Sequence, residues 1–320
     1  MPRAAVVYHK DQPMKVEQVT LRPVGEHEVL VRVKACGVCH SDLSVLNGYF
    51  ACPTPVILGH EAAGVVEALG PGVTRWKEGD RVAYGTGPIG AYATHANVPA
   101  DRLVAVPEGV SLEQAAALML KGLTAWYLLR RTHAVQPGET ILFHAAAGGV
   151  GLLACQWASH LGAKVIGTAG GPAKCELARA HGCAEVIDYD RENFPSRVRA
   201  LTGGIGVPVV YDGVGKDTWE GSLDCLQPRG LMVSFGNASG AVAGVNLGIL
   251  AAKGSLFVTR PTLGTHAVPR SAAALKRSAS SRFWYSASRT MGSISRRMRS
   301  RISAGVPVPP RCHQESNDPP

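Results

Sequence analysis

The sequence predicts an α/β protein in two parts: a β-rich unit at the N-terminus, followed by a doubly wound, six-stranded parallel sheet. Three observations predict this. The run Ile141–Ala158 sets an apolar strand, a small-residue turn and an apolar-periodic helix in immediate succession. After it, strand-like and helix-like stretches alternate as far as residue 259, which is the pattern left by parallel strands joined through crossover helices. Before it, residues 1–110 read as short strands cut by Gly and Pro.

Taken in order, strands are expected at Arg3–Tyr8, Val29–Ala35, Ala62–Leu69, Arg81–Tyr84 and Leu103–Val106. Two bridging helices follow, at 111–119 with Ser111 as N-cap and Glu113 in the first turn, and at 122–131. The parallel sheet opens with a strand at 140–144. It continues through strands 163–168, 185–189, 207–212, 230–235 and 255–259, separated by helices near 173–181, 193–202, 217–226 and 246–252. The expected division is a β-rich domain over 1–125, a parallel-sheet domain over 126–263 and a C-terminal tail over 264–320.

At 320 residues the chain can bury two cores. It has no apolar run long enough to span a bilayer, and Met1-Pro-Arg-Ala is unlike the start of a signal peptide, so membrane partners are not expected. Eight cysteines are scattered, with Cys155 and Cys225 in predicted core helices, which points to a reduced, cytoplasmic protein rather than a disulfide framework. The net charge of +9 is unevenly placed. Residues 264–320 carry ten Lys/Arg against two acidic residues, whereas the first 263 carry 23 against 22. The body of the chain is near neutral, and nothing in it asks for nucleic acid.

Within the first βα turn, Ala146, Gly148 and Gly151 hold the three small-residue positions of a dinucleotide turn of the G-x-G-x-x-G kind. Small residues let the backbone approach a pyrophosphate, and the N–H groups that open the helix point at it. A nicotinamide site for NAD usually has a carboxylate closing the second strand, where it holds the ribose 2′-hydroxyl. Here that strand runs into Gly170, Gly171 and Lys174, with no acid before Glu176. That balance suits a 2′-phosphate, hence NADPH; the alternative for Lys174 is a solvated residue of a first helical turn.

Ahead of the sheet, Cys36-Gly-Val-Cys39-His40-Ser41-Asp42 is followed by Gly59-His60-Glu61. Cys39, His60 and Glu61 can offer S, N and O ligands to a catalytic zinc with one position open. Such an ion would polarise an alcohol or carbonyl oxygen, with Ser41 relaying a proton outward and Asp42 orienting a ligand. The plainer alternative is a small buried thiol at Cys39 and a hydrogen-bonded turn histidine at His60.

Together these residues resemble the medium-chain dehydrogenase/reductase superfamily over residues 1–263, and they resemble two of its branches. Up to about Gly79, Ala35–Gly48 and Leu58–Glu67 look like the zinc-dependent alcohol dehydrogenases. From Gly79 onward Met119–Thr124, His144–Gly151, Asp217–Leu226, Val233–Gly240 and Gly254–Pro261 look like the zinc-free NADPH:quinone oxidoreductases. The resemblance implies a GroES-like β-rich catalytic domain, a Rossmann domain and a homodimer. The branches disagree about zinc. The quinone-reductase pattern has Asn at the place of Cys39 and Thr at that of His60. The third cysteine ligand of most zinc enzymes aligns with Lys121, and their four-cysteine structural-zinc loop is missing.

Carried over position by position, the quinone-reductase pattern implies Thr124 and Tyr127 beside the nicotinamide half and Gly149 and Val150 at the pyrophosphate. It also implies Gly170, Gly171, Lys174 and Tyr189 around the 2′-phosphate, and Asn237 on a loop after the fifth strand. That branch passes a hydride directly to a quinone, so the expected activity is NADPH-dependent quinone reduction. A zinc alcohol dehydrogenase acting on a small alcohol or carbonyl is the alternative.

After Leu263 the family pattern stops. In relatives a helix and further strands return to complete the first domain, whereas 264–320 is Ser/Arg-rich, without sustained periodicity, and is expected to be irregular. Such an abrupt shift is what a change of reading frame in the gene leaves, and reading the nucleotides after codon 263 in the other frames would test it. A functional reading of the tail is a basic arm for RNA, and with it a non-catalytic nucleotide- or RNA-binding protein.

Overall fold

A computed structural model describes residues 1–85 and 87–267. The basic-arm and reading-frame expectations for the tail fall almost wholly outside the described residues.

The N-terminal half is built from β1 (Arg3–Val7), β2 (Lys15–Gln18), β3 (Glu28–Cys36), a short helix α1 (His40–Leu46), β4 (Val56–Ile57), β5 (Ala62–Leu69), β6 (Arg81–Tyr84), β7 (His95–Pro99) and β8 (Val104–Ala105). The strands form a three-stranded sheet, β2-β1-β4, and a five-stranded antiparallel sheet, β7-β3-β5-β6-β8. Alternation drives the larger sheet: Val29 and Val31 of β3, Val66 of β5 and Val98 of β7 point inward with Trp76 and Tyr84. The N-terminus is therefore β-rich, with β2, β4, β7 and α1 in addition to the expected elements.

Helix α2 (Leu112–Tyr127) joins the two halves. Ser111 caps it, its Oγ accepting the Gln114 N–H at 3.1 Å while Gln114 Oε1 accepts the Ser111 N–H at 2.9 Å. Where the sequence suggested two helices, α2 is continuous, because Ala115, Ala116, Met119, Gly122 and Ala125 form one buried face. One interior glycine costs a helix only about 1 kcal/mol, which that packing outweighs. A wider π turn at Leu128–Thr132 ends it.

The second half contains β9 (Thr140–Phe143), α3 (Gly149–His160), β10 (Lys164–Ala169), α4 (Pro172–Ala180), β11 (Glu185–Asp188), α5 (Phe194–Leu201), β12 (Val207–Asp212), α6 (Trp219–Asp224), β13 (Leu226–Ser234), α7 (Gly248–Ala252), β14 (Phe257–Thr259) and α8 (Leu263–Ala267). Its six strands are all parallel and ordered β11-β10-β9-β12-β13-β14. This is the Rossmann order, in which the chain reverses direction between β9 and β12 and opens a crevice at the strand ends. Both faces are covered, by one apolar cluster that includes α2 and α3 and another that includes α5 and α6. At the start of the tail, the described residues 264–267 are helical rather than irregular, and His266 stacks on Tyr127 with ring centroids 4.9 Å apart.

Candidate active site

The turn after β9 lies at the crevice. Ala146 N donates to Thr168 O at 2.9 Å and Gly148 N to Ala145 O at 2.8 Å, which folds the backbone tightly enough to put Ala145 at a φ of 51°. α3 starts at once, capped by Gly148, which has no side chain to accept from the first turn. The N–H groups of Gly149, Val150 and Gly151 therefore remain for an anion. Gly151 is required by space: a Cβ there would lie 2.3 Å from Ala145 O and 2.7 Å from Ala146 Cα. At Gly149 a Cβ would meet only the flexible Lys121 side chain, 2.9 Å from its Cδ.

At the end of β10, Gly170 and Gly171 turn the chain into α4, with Gly171 at a φ of 78°. Lys174 stands exposed on the first turn of α4, and Tyr189, 49 % exposed, leans over Gly170. The structure also brings Asp188 and Asp190 to this corner; they arrive from the end of β11, so the residues of the second strand do not announce them. Asp188 Oδ1 is occupied by the N–H groups of Gly171 (2.9 Å) and Asp190 (3.2 Å), so it shapes the turn.

Two loops complete this wall. After β12, Asp212, fully buried, accepts the N–H groups of Val214 (2.8 Å) and Gly215 (3.0 Å) on Oδ1, and the hydroxyls of Thr218 (2.7 Å) and Ser222 (2.9 Å) on Oδ2. Ser222 Oγ in turn lies 3.0 Å from His144 Nε2, whose Nδ1 faces Thr168 Oγ1 at 2.9 Å. Burial pushes His144 below its ordinary value against the pull of Asp212, so the ring is neutral; the network then puts its proton on Nε2. After β13, Arg260 grips Ser234 O (3.0 Å) and Gly236 O (2.9 Å), fixing the loop that carries Asn237. Gly215 and Gly240 pair across these loops.

The opposite wall belongs to the N-terminal half and α2. Thr124, one turn after Lys121, donates to Leu120 O at 2.8 Å, and Tyr127 is buried, its hydroxyl pushed up to about 12 by that burial. Tyr49, beyond α1, accepts the Ala241 N–H on its hydroxyl oxygen at 2.9 Å and so ties the two walls together.

Cys39 precedes α1. Its N–H donates to Asp42 Oδ2 at 3.1 Å and its Sγ lies 3.3 Å from Ser41 Oγ. Asp42, 6 % exposed, also accepts the Tyr92 hydroxyl at 2.7 Å and faces His60 Nδ1 across 3.3 Å through Oδ1. The Asp42 carboxylate, and next the Cys39 sulfur, push His60 up to about 10. Burial raises Asp42, but His60, Tyr92 and the Cys39 N–H outweigh it, and the carboxyl falls below its usual range.

Glu61 is elsewhere. It is fully buried, with Oε1 2.5 Å from Lys121 Nζ and Oε2 accepting the Leu120 N–H at 3.1 Å. The expected zinc set of Cys39, His60 and Glu61 is therefore not assembled, and among the described residues no group of three His, Cys, Asp or Glu side chains is arranged to hold a metal. The reason is electrostatic: the Lys121 ammonium takes the carboxylate and would repel a cation. The donor set does not fit zinc.

Residues 25–108 match the family model for the alcohol dehydrogenase GroES-like domain, and residues 149–276 that for zinc-binding dehydrogenase. The chain is 60 % identical over 244 residues to a quinone oxidoreductase of Pseudomonas aeruginosa, spanning 76 % of this chain and 75 % of that one. The chain belongs to the medium-chain dehydrogenase/reductase superfamily. Another member, a 2-haloacrylate reductase of Burkholderia, is 44 % identical over 272 residues, with 82 % of each chain covered. A solved superfamily structure, Escherichia coli quinone oxidoreductase complexed with NADPH, is 45 % identical with a TM-score of 0.82 over 95 % of this chain and 89 % of that chain. The second family match runs past Leu263, where composition changes, and it contains none of Cys39, His60 and Glu61.

Proposed function

We propose that this chain is an NADPH-dependent quinone oxidoreductase, active on quinones or other conjugated carbonyls. The observation that carries this reading is the uncapped start of α3 at the crevice, in a chain whose Cys39, Ser41 and Asp42 lie together with no group of three metal ligands among the described residues. NADPH, when bound, supplies the hydride. Gly149, Val150 and Gly151 hold its pyrophosphate through their N–H groups, with Ala146 and Gly148 giving the backbone its close approach. Gly170, Gly171, Lys174 and Tyr189 surround the 2′-phosphate. Thr124 and Tyr127 belong to the nicotinamide half, and Asn237 lies on the loop after β13. With no charged acid required at the reacting carbon, the chain's contribution is mainly positioning and exclusion of water. Ser41, beside Cys39, passes the proton that the reduced oxygen takes up, and Asp42 holds His60 in place behind it.

A homodimer belongs to the same reading, supported by β14, an edge strand on which Phe257 is 56 % exposed. A cytoplasmic location is supported by seven unpaired cysteines among the described residues. No helix among the described residues is long and apolar enough to cross a membrane. The test is NADPH consumption with 1,4-benzoquinone in the presence and absence of a zinc chelator. Turnover indifferent to chelator is expected; failure to bind NADPH, or turnover abolished by chelator, would overturn the reading.

A further inference from the structure

Four polar side chains are joined in the core at the crevice ends of the parallel strands: Thr168 of β10, His144 just after β9, Ser222 of α6 and Asp212 closing β12. None is more than 1 % exposed. Their bonds run one way. The Thr168 hydroxyl donates to His144 Nδ1 at 2.9 Å, and His144 Nε2–H donates to Ser222 Oγ at 3.0 Å. The Ser222 hydroxyl donates in turn to Asp212 Oδ2 at 2.9 Å, so no member is left unpaired. Phe194 meets the imidazole at 82°, with ring centroids 4.9 Å apart, and holds its plane.

Burying a carboxylate this way is costly, and apolar residues of similar volume often serve stability as well. What the network does fix is the spacing of loops. At one end, Thr168 lies two residues before Gly170, and its carbonyl oxygen accepts the Ala146 N–H of the dinucleotide turn at 2.9 Å. At the other end, Asp212 Oδ1 accepts the N–H groups of Val214 and Gly215. That loop is bonded to the one carrying Asn237, Lys216 N–H donating to Gly240 O at 3.1 Å and Ser239 N–H to Val214 O at 2.8 Å. His144 stands between the two ends, where the strand order reverses from β9 to β12.

We propose that His144 is a positioning residue for NADPH: its imidazole couples the Gly170–Gly171 corner to the paired loops after β12 and β13. The inference rests on the cofactor reading above. Coupling follows from the one-way order of the bonds. Without the Thr168 hydroxyl, Nδ1 has no donor, the ring is free to turn, and Nε2–H leaves Ser222; losing the Ser222 hydroxyl acts in reverse. Thr168 and Ser222 sit on opposite nitrogens of one ring, so each reaches the other through His144.

The test is a double-mutant cycle on the full chain, with affinities read by titration calorimetry. Thr168→Val and Ser222→Ala are each expected to weaken NADPH about tenfold, the equivalent of one buried hydrogen bond. Together they should cost about the same tenfold, where independent sites would multiply to about a hundredfold. In a His144→Phe background neither should weaken binding further. Ser222→Ala should also weaken 2′,5′-ADP, although the residues proposed around the 2′-phosphate lie on other elements than α6. Leu226→Ala is the stability control: it opens the same apolar cluster at the far ends of the strands, so it should lower the melting temperature and leave both affinities unchanged. Multiplying losses, 2′,5′-ADP binding indifferent to Ser222→Ala, or equal losses with Leu226→Ala would each overturn the coupling. Should the double variant fail to fold, Ser222→Ala with 2′,5′-ADP decides alone. Absence of NADPH binding in the unaltered protein would instead overturn the proposed function, and this inference with it.

Discussion

Lys121 Nζ lies 2.5 Å from Glu61 Oε1, an ion pair that fastens α2 to the start of β5 beneath the crevice. The carboxylate is fully buried, and its one other partner is the Leu120 N–H. A buried charge that loses its partner typically costs about 3–5 kcal/mol, far more than the pair itself contributes. Lys121→Met is therefore expected to lower unfolding free energy by about 3 kcal/mol in denaturant titration. Glu61→Gln combined with Lys121→Met should recover most of it, since the neutral amide needs no counter-charge.

The two central glycines of the turn separate by what surrounds them. At Gly151 a Cβ collides with backbone at 2.3 Å, and backbone cannot step aside without moving the turn. At Gly149 it meets a lysine side chain that can swing away. Overpacking of the first kind costs about 1–3 kcal/mol. NADPH affinity measured by fluorescence titration should fall at least about tenfold with Gly151→Ala, one such 1.4 kcal/mol step, and much less with Gly149→Ala.

How much of this was legible in the chain follows from where partners lie in sequence. The parallel strands were readable because each is a buried run, such as Ile141–Phe143 or Val209–Tyr211, bounded by its own turn. β2 escaped because Lys15–Gln18 is a mostly exposed edge segment, and β7 because His-Ala-Asn-Val-Pro hides its alternation behind small and polar residues. In the site, the glycine turn is local and was readable. The pairing of Glu61 with Lys121 spans 60 positions and the Asp212–Ser222–His144 chain links three elements, so no spacing announces either. One signal was available: Lys121 standing where a zinc ligand aligns already argued against the ion that Glu61 was expected to hold.

The Asp42–His60 contact makes stability depend on pH in a stated direction. His60 is raised to about 10, chiefly by Asp42 and then by Cys39. A histidine raised in the folded state contributes stability that is complete below its unfolded value of about 6.5 and is lost as pH rises through the folded value. The difference in melting temperature between the unaltered protein and His60→Gln should be largest near pH 6 and shrink steadily toward pH 10, as read by calorimetry. Asp42 is shifted downward, so its share is present above its ordinary value and disappears only as pH falls below it. A difference that grew with pH would contradict the ion-pair geometry.

If the proposed NADPH site is right, the corner at Gly170–Gly171 sets the cofactor preference, and inverting its charge tests this. Lys174 is exposed beside the turn, while Oδ1 of Asp188 is taken by two backbone N–H groups. A charge-assisted hydrogen bond contributes about 1.5–3 kcal/mol, or roughly tenfold to a hundredfold in kcat/KM. Lys174→Glu removes that bond for a 2′-phosphate and sets a like charge against it, while leaving a carboxylate near a 2′-hydroxyl. Steady-state assays should show kcat/KM for NADPH falling by roughly that factor, with the value for NADH unchanged or raised. Tyr189→Ala, which uncovers Gly170 without altering charge, should weaken both nucleotides together and leave their ratio nearly constant. If Lys174→Glu instead lowered both equally, the phosphate would have to be read from another side of the crevice, and Arg191, its side chain 71 % exposed and 3.9 Å from Asp188, would be the next cation to replace.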